Sequence, residues 1–336
     1  MIEILKNILI LLVGFGLLIK GADFFVEGSS SVAKKLKIPS VIVGLTIVAM
    51  GTSLPELAVS LKAAISGSNE IAISNVVGSN IFNLLVVLGV CAIIHPVVVD
   101  KAVMKKDMPF LLVITAVLVV MIGDFIMPWA GFTKFVNEAG NELVAILSRF
   151  DSIIFVVIFV TYITVTVIAT LKSRKEAKDT ESDNELKERN MLISILFIVG
   201  GIAAIKFGGD FVVDSASALA VKFGMSETLV GLTIVAVGTS LPELVTSVVA
   251  AKKGETQLAI GNVVGSNIFN ILFILGVSAT ISPINVIMES LIDMAIVLVA
   301  SVIAFIFCKT KDTLERKEGV VMVGAYIAYM VYAIVR

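Results

Sequence analysis

The chain contains the hexapeptide Gly51-Thr52-Ser53-Leu54-Pro55-Glu56 and repeats it as Gly238-Thr239-Ser240-Leu241-Pro242-Glu243, 187 positions later. Both copies lie inside long apolar stretches, where a proline and a carboxylate are unfavourable in a continuous membrane-spanning helix. In hydrocarbon every backbone polar group needs a partner, so a broken helix persists only against protein or a water-filled cavity. The hexapeptides therefore predict two discontinuous helices that line a polar site inside the membrane.

The composition indicates an integral membrane protein. Of the 336 residues 58% are apolar and only 16% are charged, against roughly 25% charged in ordinary globular domains. The first apolar run lacks a clean small-residue cleavage site and has an internal copy, so we expect a membrane span rather than a signal peptide. A net charge of −1 suggests no nucleic-acid partner. The predicted spans are 4–33, 39–65, 71–95, 108–127, 153–171, 191–221, 227–251, 257–281, 286–308 and 319–335.

The internal repeat predicts the fold. Residues 44–90 match residues 231–277 at 32 of 47 positions without a gap. Five predicted spans separate equivalent points, and an odd number places the second copy upside down in the membrane. Inverted repeats are typical of secondary transporters, whose binding site lies at the midplane where discontinuous helices meet. We predict an all-α membrane protein of about ten transmembrane helices in two inverted five-helix repeats, residues 1–171 and 191–336, joined by a short linker at residues 172–190.

Lysine and arginine residues predict the orientation, because short cytoplasmic loops carry an excess of them. With the linker placed in the cytoplasm, 18 of these residues fall on the cytoplasmic face and 6 on the other, while Lys20 and Lys206 fall inside spans. We therefore expect a multi-pass protein of the cell membrane with both termini on the non-cytoplasmic side. The cytoplasmic set is Lys34, Lys35, Lys37, Lys101, Lys105, Lys106, Lys172, Arg174, Lys175, Lys178, Lys187, Arg189, Lys252, Lys253, Lys309, Lys311, Arg316 and Lys317, and the other set is Lys6, Lys62, Lys134, Arg149, Lys222 and Arg336.

Two further features leave alternatives open. Residues 128–150 carry apolar side chains at loose helical spacing, and this segment either lies along the membrane surface or forms an ordinary loop. Four acidic residues of the first and sixth spans either line an ion route, or sit near the membrane interface or pair with Lys20 and Lys206. These four, at matched repeat positions, are Asp23, Glu27, Asp210 and Asp214.

The hexapeptide fits two descriptions. Ser53 and Glu56 form the Ser-x-x-Glu pattern of a helix start, where Pro55 is tolerated in the first turn. A cap and an ion site can coexist, because the start of a half-helix frees backbone groups to line a cavity. Ser240 and Glu243 repeat the pattern. Because both copies fall mid-membrane, we interpret them as parts of a site rather than as caps alone.

The ligands predicted for this site are all oxygen atoms. Glu56 and Glu243 approach each other near the pseudo-two-fold axis, where two carboxylates repel unless cations fill the space or one of them is protonated. Ca²⁺ takes about six to eight oxygen ligands, and the absence of a thiolate or imidazole disfavours zinc, copper and iron. Hydroxyl and amide groups reach the same cavity through helical spacing of three or four residues. They belong to Thr52, Ser53, Ser79 and Asn83, and to Thr239, Ser240, Ser266 and Asn270.

Residues 75–83 and 262–270 share the sequence Asn-Val-Val-Gly-Ser-Asn-Ile-Phe-Asn. Together with the hexapeptides they resemble the α-repeats of the Ca²⁺/cation antiporter superfamily, specifically those of the Na⁺/Ca²⁺ exchangers, and the resemblance covers essentially the whole chain. It implies that Glu56 and Glu243 are the central Ca²⁺ ligands, assisted by Thr52 and Thr239. It implies Na⁺ ligands at Ser53, Ser79, Ser240 and Ser266 and at the carbonyl groups of Ala49 and Ala236, with Asn83 and Asn270 lining the centre.

The predicted function is secondary antiport of Na⁺ against Ca²⁺ by alternating access, in lipid, as a monomer and without a cofactor. By this resemblance, some prokaryotic and all K⁺-dependent relatives carry an aspartate at the position of Asn270, so the amide favours K⁺-independent exchange. Ca²⁺/H⁺ exchange and K⁺-dependent Na⁺/Ca²⁺ exchange stay open as alternatives. The inverted repeat disfavours a cation channel, in which the carboxylates would form a selectivity ring. An intramembrane enzyme is disfavoured because no nucleophile–base pair or metal-binding histidine is visible.

The predicted topology can be tested by labelling single cysteine residues with a membrane-impermeant reagent, after Cys91 and Cys308 have been replaced. We expect Lys35→Cys to react only from the cytoplasmic side and Lys62→Cys only from the opposite side, because one predicted span separates them. Reaction of both positions from the same side would refute the inverted arrangement.

Overall fold

The computed structural model describes residues 2–122, 135–136, 142–177, 190–225, 234 and 236–335. Nearly all regular structure in these residues is helical, because a helix satisfies its own backbone groups inside lipid. Among the described residues, seven helices are long and apolar enough to span a membrane, and one pair bent by 48° makes an eighth. A helical membrane fold is thereby confirmed. The count of about ten stays a prediction, since the predicted seventh span begins outside the described residues.

Among the described residues of the first half, eight α-helices are interrupted by π-helical segments, in which each turn holds one extra residue. The α-helices are α1 (Ile2–Leu36), α2 (Ser40–Val43), α3 (Ala49–Thr52), α4 (Leu54–Ile65), α5 (Asn69–Phe82), α6 (Leu88–Ile94), α7 (Met108–Ile122) and α8 (Arg149–Ala177). The π-helical segments are Gly44–Val48, Asn83–Val87 and Val103–Asp107.

The second half repeats this order in the part that the structure describes. Its α-helices are α9 (Met191–Lys222), α10 (Ala236–Gly238), α11 (Leu241–Lys252), α12 (Thr256–Phe269), α13 (Leu275–Ile281), α14 (Met288–Lys309) and α15 (Arg316–Val335), with a π-helical segment at Asn270–Ile274. The π-helical segments that start at Asn83 and Asn270 occupy equivalent positions of the two halves.

Both predicted helix breaks are present. Helix α3 ends at Thr52 and α4 begins at Leu54, so that Ser53 stands alone at the bend. Helix α10 ends at Gly238, and two residues separate it from α11, which begins at Leu241. The prolines lie in the first turns of α4 and α11, where the missing N–H has no intrahelical partner to lose. Each break therefore places the start of a helix inside the protein.

Helices α1 and α9 are equivalent in the repeat and run antiparallel, as inverted repeats require. A methyl group added at Gly14 would lie 3.0 Å from the carbonyl oxygen of Gly208, and one added at Gly21 would lie 3.0 Å from that of Gly201. A methyl group added at Gly28 would lie 2.7 Å from the carbonyl oxygen of Ser194. Small residues at seven-residue spacing therefore allow the two backbones to touch, which is a common way of packing membrane helices.

Short strands join the two halves on both ends of the bundle. Strand β1 (Val97–Val98) pairs antiparallel with β5 (Thr313–Leu314). Strand β3 (Glu142–Leu147) pairs antiparallel with β2 (Phe135–Val136) and with β4 (Ile284–Ile287). In the β1–β5 and β3–β4 pairs, a connection of the first half hydrogen-bonds to a connection of the second half.

These strands alter the prediction for residues 128–150. Of this segment the structure describes residues 135–136 and 142–150, which form two strands and then the start of α8 rather than an ordinary loop. The other residues of 128–150 lie outside the described part of the chain, and a position along the membrane surface stays a prediction. The physical reason is long-range: the backbone of β3 finds hydrogen-bond partners in β4, more than 130 positions away, and helical spacing within 128–150 carries no information about that edge.

Helix α12 occupies the centre of the described bundle. Nearly every one of its residues is buried, including the polar side chains of Asn262, Ser266 and Asn267. Its glycines allow this position, because a methyl group at Gly261 would meet the carbonyl oxygen of Val41 at 2.5 Å. A membrane helix that lies in protein on all sides can carry polar groups that lipid would exclude.

We expect the close packing of α1 on α9 to be sensitive to a single methyl group. In Gly201→Ala the new methyl would lie 2.8 Å from the backbone carbonyl of Gly21 and from the backbone nitrogen of Phe25, neither of which can rotate away. Overpacking of this kind costs about 1–3 kcal/mol, so the melting temperature in detergent should fall. Gly200→Ala is the matched control, because nothing lies within 4 Å of its new methyl group. An equal loss of stability in both variants would contradict this packing.

Candidate ion-binding site

The two hexapeptide glutamates lie in the first turns of α4 and α11, fully buried. Glu56 and Glu243 each have a relative exposure of 0%. They are close enough to repel each other electrostatically. The positive end of the helix dipole lies at a helix start, so each carboxylate is placed where a negative charge is favoured. This partial stabilisation leaves the repulsion between the two charges in place.

Each glutamate accepts a hydrogen bond from the serine of the opposite repeat. The hydroxyl of Ser53 donates to Oε1 of Glu243 at 2.7 Å, and the hydroxyl of Ser240 donates to Oε1 of Glu56 at 3.1 Å. Neither serine makes the side-chain cap that the Ser-x-x-Glu pattern suggests. The serine hydroxyls thus connect the two halves of the protein instead of closing their own helices.

The second oxygen of each carboxylate has no hydrogen-bond partner among the described residues. This holds for Oε2 of Glu56 and for Oε2 of Glu243, both of which are buried. The ion pairs of the described residues also include neither glutamate. Buried carboxylate oxygens normally have partners, so unpartnered ones call for an explanation such as a bound ion. The arrangement is therefore chemically suited to hard cations.

Threonine and serine hydroxyls and a backbone carbonyl surround the two carboxylates. Thr52 is fully buried, beside Glu243, and Ser79 lies beside Glu56. Ser266 approaches both Oε1 of Glu243, at 3.5 Å, and the carbonyl oxygen of Ala49, at 3.4 Å. The structure thus brings these predicted residues together, and their role as ligands stays a prediction.

The remaining predicted residues are less enclosed or less fully described. Thr239 is half-buried, and its hydroxyl donates to Oδ1 of Asn75 at 3.4 Å. Ala236 begins the short helix α10, and the described contacts do not include its carbonyl group. The roles of Thr239 and Ala236 therefore rest on their equivalence to Thr52 and Ala49 in the repeat.

Four amide side chains form two reciprocal hydrogen bonds across the repeats. Nδ2 of Asn270 donates to Oδ1 of Asn80 at 3.1 Å, and Nδ2 of Asn83 donates to Oδ1 of Asn267 at 3.4 Å. All four are buried. The remaining carbonyl oxygens of Asn83 and Asn270 have no partner among the described residues. Two buried neutral oxygen atoms thus lack a hydrogen-bond partner in the described part of the chain, and their role as ligands stays a prediction.

Several polar contacts of this region involve residues outside the predicted ligand set. Asn80 and Asn267 were not among the predicted ligands, although each accepts a hydrogen bond from an asparagine that was. Asn75 and Asn262 were missed as well, and a signal was available for both. Asn75 precedes Ser79 by four residues, so the helical spacing that groups Ser79 with Asn83 also places Asn75 on the same face.

Two of the four acidic residues of α1 and α9, Asp23 and Asp210, form ion pairs among the described residues. Lys206 pairs with Asp210 at 2.7 Å, which agrees with one of the two predicted arrangements. Asp23 pairs with Lys253 at 2.5 Å rather than with Lys20. Among the described residues no group of three or more His, Cys, Asp and Glu side chains could hold a metal ion. The site therefore has two carboxylates and otherwise neutral oxygen atoms.

Comparisons with known proteins point to one family. The family model described as sodium/calcium exchanger protein matches residues 6–168 and 193–335. Sodium/calcium exchanger MaX1 of Methanosarcina acetivorans is 37% identical, with 97% of each chain covered. Inner membrane protein YrbG of Escherichia coli is 33% identical over 96% of this chain and 94% of its own. A solved structure of the sodium-calcium exchanger NCX_Mj superposes with a TM-score of 0.80 and 28% identity, over 98% of this chain and 99% of the other.

We expect Glu56→Gln and Glu243→Gln each to nearly abolish Ca²⁺ flux. The substitution keeps the shape and an acceptor oxygen for the opposite serine, but it removes one of the two charges that face the unpartnered position. Flux of ⁴⁵Ca²⁺ into reconstituted vesicles measures the effect. The matched control is Glu255→Gln, whose carboxylate pairs with the exposed Lys34 and whose loss costs little. A glutamine variant with flux within a few-fold of wild type would remove that glutamate from the site.

Proposed function

The chain belongs to the sodium/calcium exchanger family of Ca²⁺/cation antiporters, and we propose that it exchanges Na⁺ for Ca²⁺ by alternating access, without K⁺. It is a multi-pass membrane protein and a transporter rather than an enzyme. The observation that carries the proposal is the pair of buried glutamates, each with one oxygen held by the opposite repeat and one oxygen unpartnered.

The charge of the site supports competition between one Ca²⁺ and Na⁺ ions. Two ionised carboxylates carry a charge of −2, which one Ca²⁺ or two Na⁺ neutralise. Both ions prefer hard oxygen ligands, and Ca²⁺ takes about six to eight of them. The oxygens of the two carboxylates, of the hydroxyls and of the amides near them can serve either ion. Occupancy by one ion therefore excludes the other, and this exclusion is the physical basis of exchange.

The cross-repeat hydrogen bonds link ion occupancy to conformation. Ser53 holds Glu243 and Ser240 holds Glu56, so each carboxylate is bound both to its own half-helix and to the other half of the protein. A cation that enters draws the free oxygens towards itself and competes with the serine protons for the carboxylates. In the proposed cycle the inward-facing and outward-facing conformations differ in these contacts and therefore in their affinities for the two ions. Ion binding then shifts the equilibrium between the two conformations.

The hydroxyl and amide groups favour Na⁺ over protons as the counter-ion. A proton needs only a carboxylate, and it would leave the hydroxyls of Ser79 and Ser266 without a ligand role. Asn270 stands where K⁺-dependent relatives carry an aspartate, and an amide neither titrates nor adds a charge for a further cation. This supports exchange that is independent of K⁺.

Ca²⁺/H⁺ exchange is a second candidate, because the same structure contains a feature that favours it. Two buried carboxylates without a positive partner can also be neutralised by protons. The two candidates differ in the ion gradient, Na⁺ or H⁺, that drives Ca²⁺ uptake.

We expect vesicles loaded with Na⁺ to take up Ca²⁺, and uptake to collapse when internal K⁺ or choline replaces Na⁺. Ser79→Ala and Ser266→Ala should weaken the apparent Na⁺ affinity more than the Ca²⁺ affinity, because they remove neutral ligands and leave both charges. ⁴⁵Ca²⁺ uptake at varied internal Na⁺ measures both effects. Equal uptake driven by a pH gradient in the absence of Na⁺ would favour Ca²⁺/H⁺ exchange instead.

A further inference from the structure

Two asparagines outside the predicted ligand set have equivalent contacts in the two repeats. Nδ2 of Asn75 donates to the hydroxyl of Ser60 at 2.9 Å and to the backbone carbonyl of Glu56 at 3.1 Å. Nδ2 of Asn262 donates to the hydroxyl of Ser247 at 2.9 Å. In both repeats, the NH₂ group of an asparagine on the long helix is thus held by the half-helix that carries the glutamate.

The carbonyl side of each amide accepts a proton from the threonine of the opposite repeat. Thr52 donates to Oδ1 of Asn262 at 3.1 Å, and Thr239 donates to Oδ1 of Asn75 at 3.4 Å. The amide orientation follows from the contacts of Asn75, because the backbone carbonyl of Glu56 can only accept a hydrogen bond. The NH₂ group must therefore face Glu56, and Oδ1 must face the threonine.

We propose that Asn262 and Asn75 are positioning residues, which set the direction of the hydroxyl protons of Thr52 and Thr239 so that the threonine oxygens serve as cation ligands. A hydroxyl has a single proton and two lone pairs. When the amide oxygen accepts the proton, both lone pairs are free to face a dehydrated cation. Groups behind the first ligands commonly orient them in this way. The inference rests on the proposed exchange of Na⁺ and Ca²⁺ at this site.

Other acceptors near Thr52 show why the amide matters. The carbonyl oxygens of Val48 and Ala49 lie 3.1 and 3.3 Å from the threonine hydroxyl. A proton donated to Ala49 would occupy a carbonyl that the resemblance to the Na⁺/Ca²⁺ exchangers implies as a Na⁺ ligand. Val48 and Asn262 both offer acceptors outside the ligand set, each 3.1 Å from the hydroxyl. A proton donated to Asn262 leaves the Ala49 carbonyl available and also ties the hydroxyl to the opposite repeat.

The two halves differ in how tightly this contact is made. Asn262 and Thr52 are fully buried and 3.1 Å apart. Asn75 and Thr239 are only half-buried, and their contact is longer, at 3.4 Å. Water competes less well at a buried contact, so loss of Asn262 should affect ion binding more than loss of Asn75.

The test is a double-mutant cycle on ion binding. Purified protein in detergent is titrated with Ca²⁺ alone and with Na⁺ alone, and affinity is followed by the heat of binding. We expect Asn262→Leu to weaken Ca²⁺ binding about tenfold, which is the size of one lost hydrogen bond in a buried site. In a Thr52→Val background, which lacks the hydroxyl, Asn262→Leu should cause less than about a twofold further loss. Asn75→Leu should have a smaller effect.

Two further variants keep the result interpretable. Ser247→Ala removes the group that holds the amide, and it should weaken binding in the same Thr52-dependent way if Asn262→Leu does not fold. Ser278→Ala removes a buried hydroxyl that makes no hydrogen bond among the described residues, and it should leave both affinities unchanged.

Three outcomes decide the proposal. Coupling between positions 262 and 52 supports it, whereas equal losses with and without the Thr52 hydroxyl, or no loss at all, would overturn it. Exchange is measured separately in vesicles. If the variants show the coupling in ion binding but the wild-type protein shows no Na⁺-driven Ca²⁺ uptake, the exchange function is refuted and the positioning role stays supported.

Discussion

Two carboxylates buried side by side raise the free energy of a protein unless a positive charge or a proton neutralises them. Glu56 and Glu243 are in this situation, and the part of the chain that the structure describes supplies no lysine, arginine or histidine to pair with them. Under the proposed function, the neutralising charge comes from solution as a bound cation. The broken helices, the reciprocal serine contacts and the amide groups around the site all serve to hold this uncompensated pair inside the membrane.

The backbone of the protein is arranged so that the pair can exist at this depth. Helix breaks place the starts of α4 and α11 at the site, where the helix dipole favours negative charge. Freed backbone groups at such breaks are tolerated only inside protein. The glycine contacts of α1 with α9 and the strand pairs β1–β5 and β3–β4 join the two halves around them. The repeat thus produces matched contacts across the protein: Gly14 packs on Gly208, and Gly21 packs on Gly201 in the equivalent contact.

Neutral polar groups complete the site without adding charge. Asparagine pairs across the repeats bind to one another and leave carbonyl oxygens free. Other amides accept the threonine protons. Each additional carboxylate would attract a further cation or proton, whereas an amide provides an oxygen ligand at constant charge. This division between two charged and many neutral oxygens fits a site that one divalent ion or a small number of monovalent ions can neutralise.

The sequence by itself determined the membrane class, the repeat, the two helix breaks and the placement of both glutamates at them. These features follow from local rules: hydropathy, helical spacing and the need of backbone groups for partners in lipid. The tertiary structure alone decided which groups meet. The serine pattern predicts a cap within one helix, but Ser53 bonds Glu243 of the other repeat. Strand β3 and the contacts of Asn262 were likewise beyond the sequence, because their partners come from distant parts of the chain, and spacing along one helix cannot specify what packs against it.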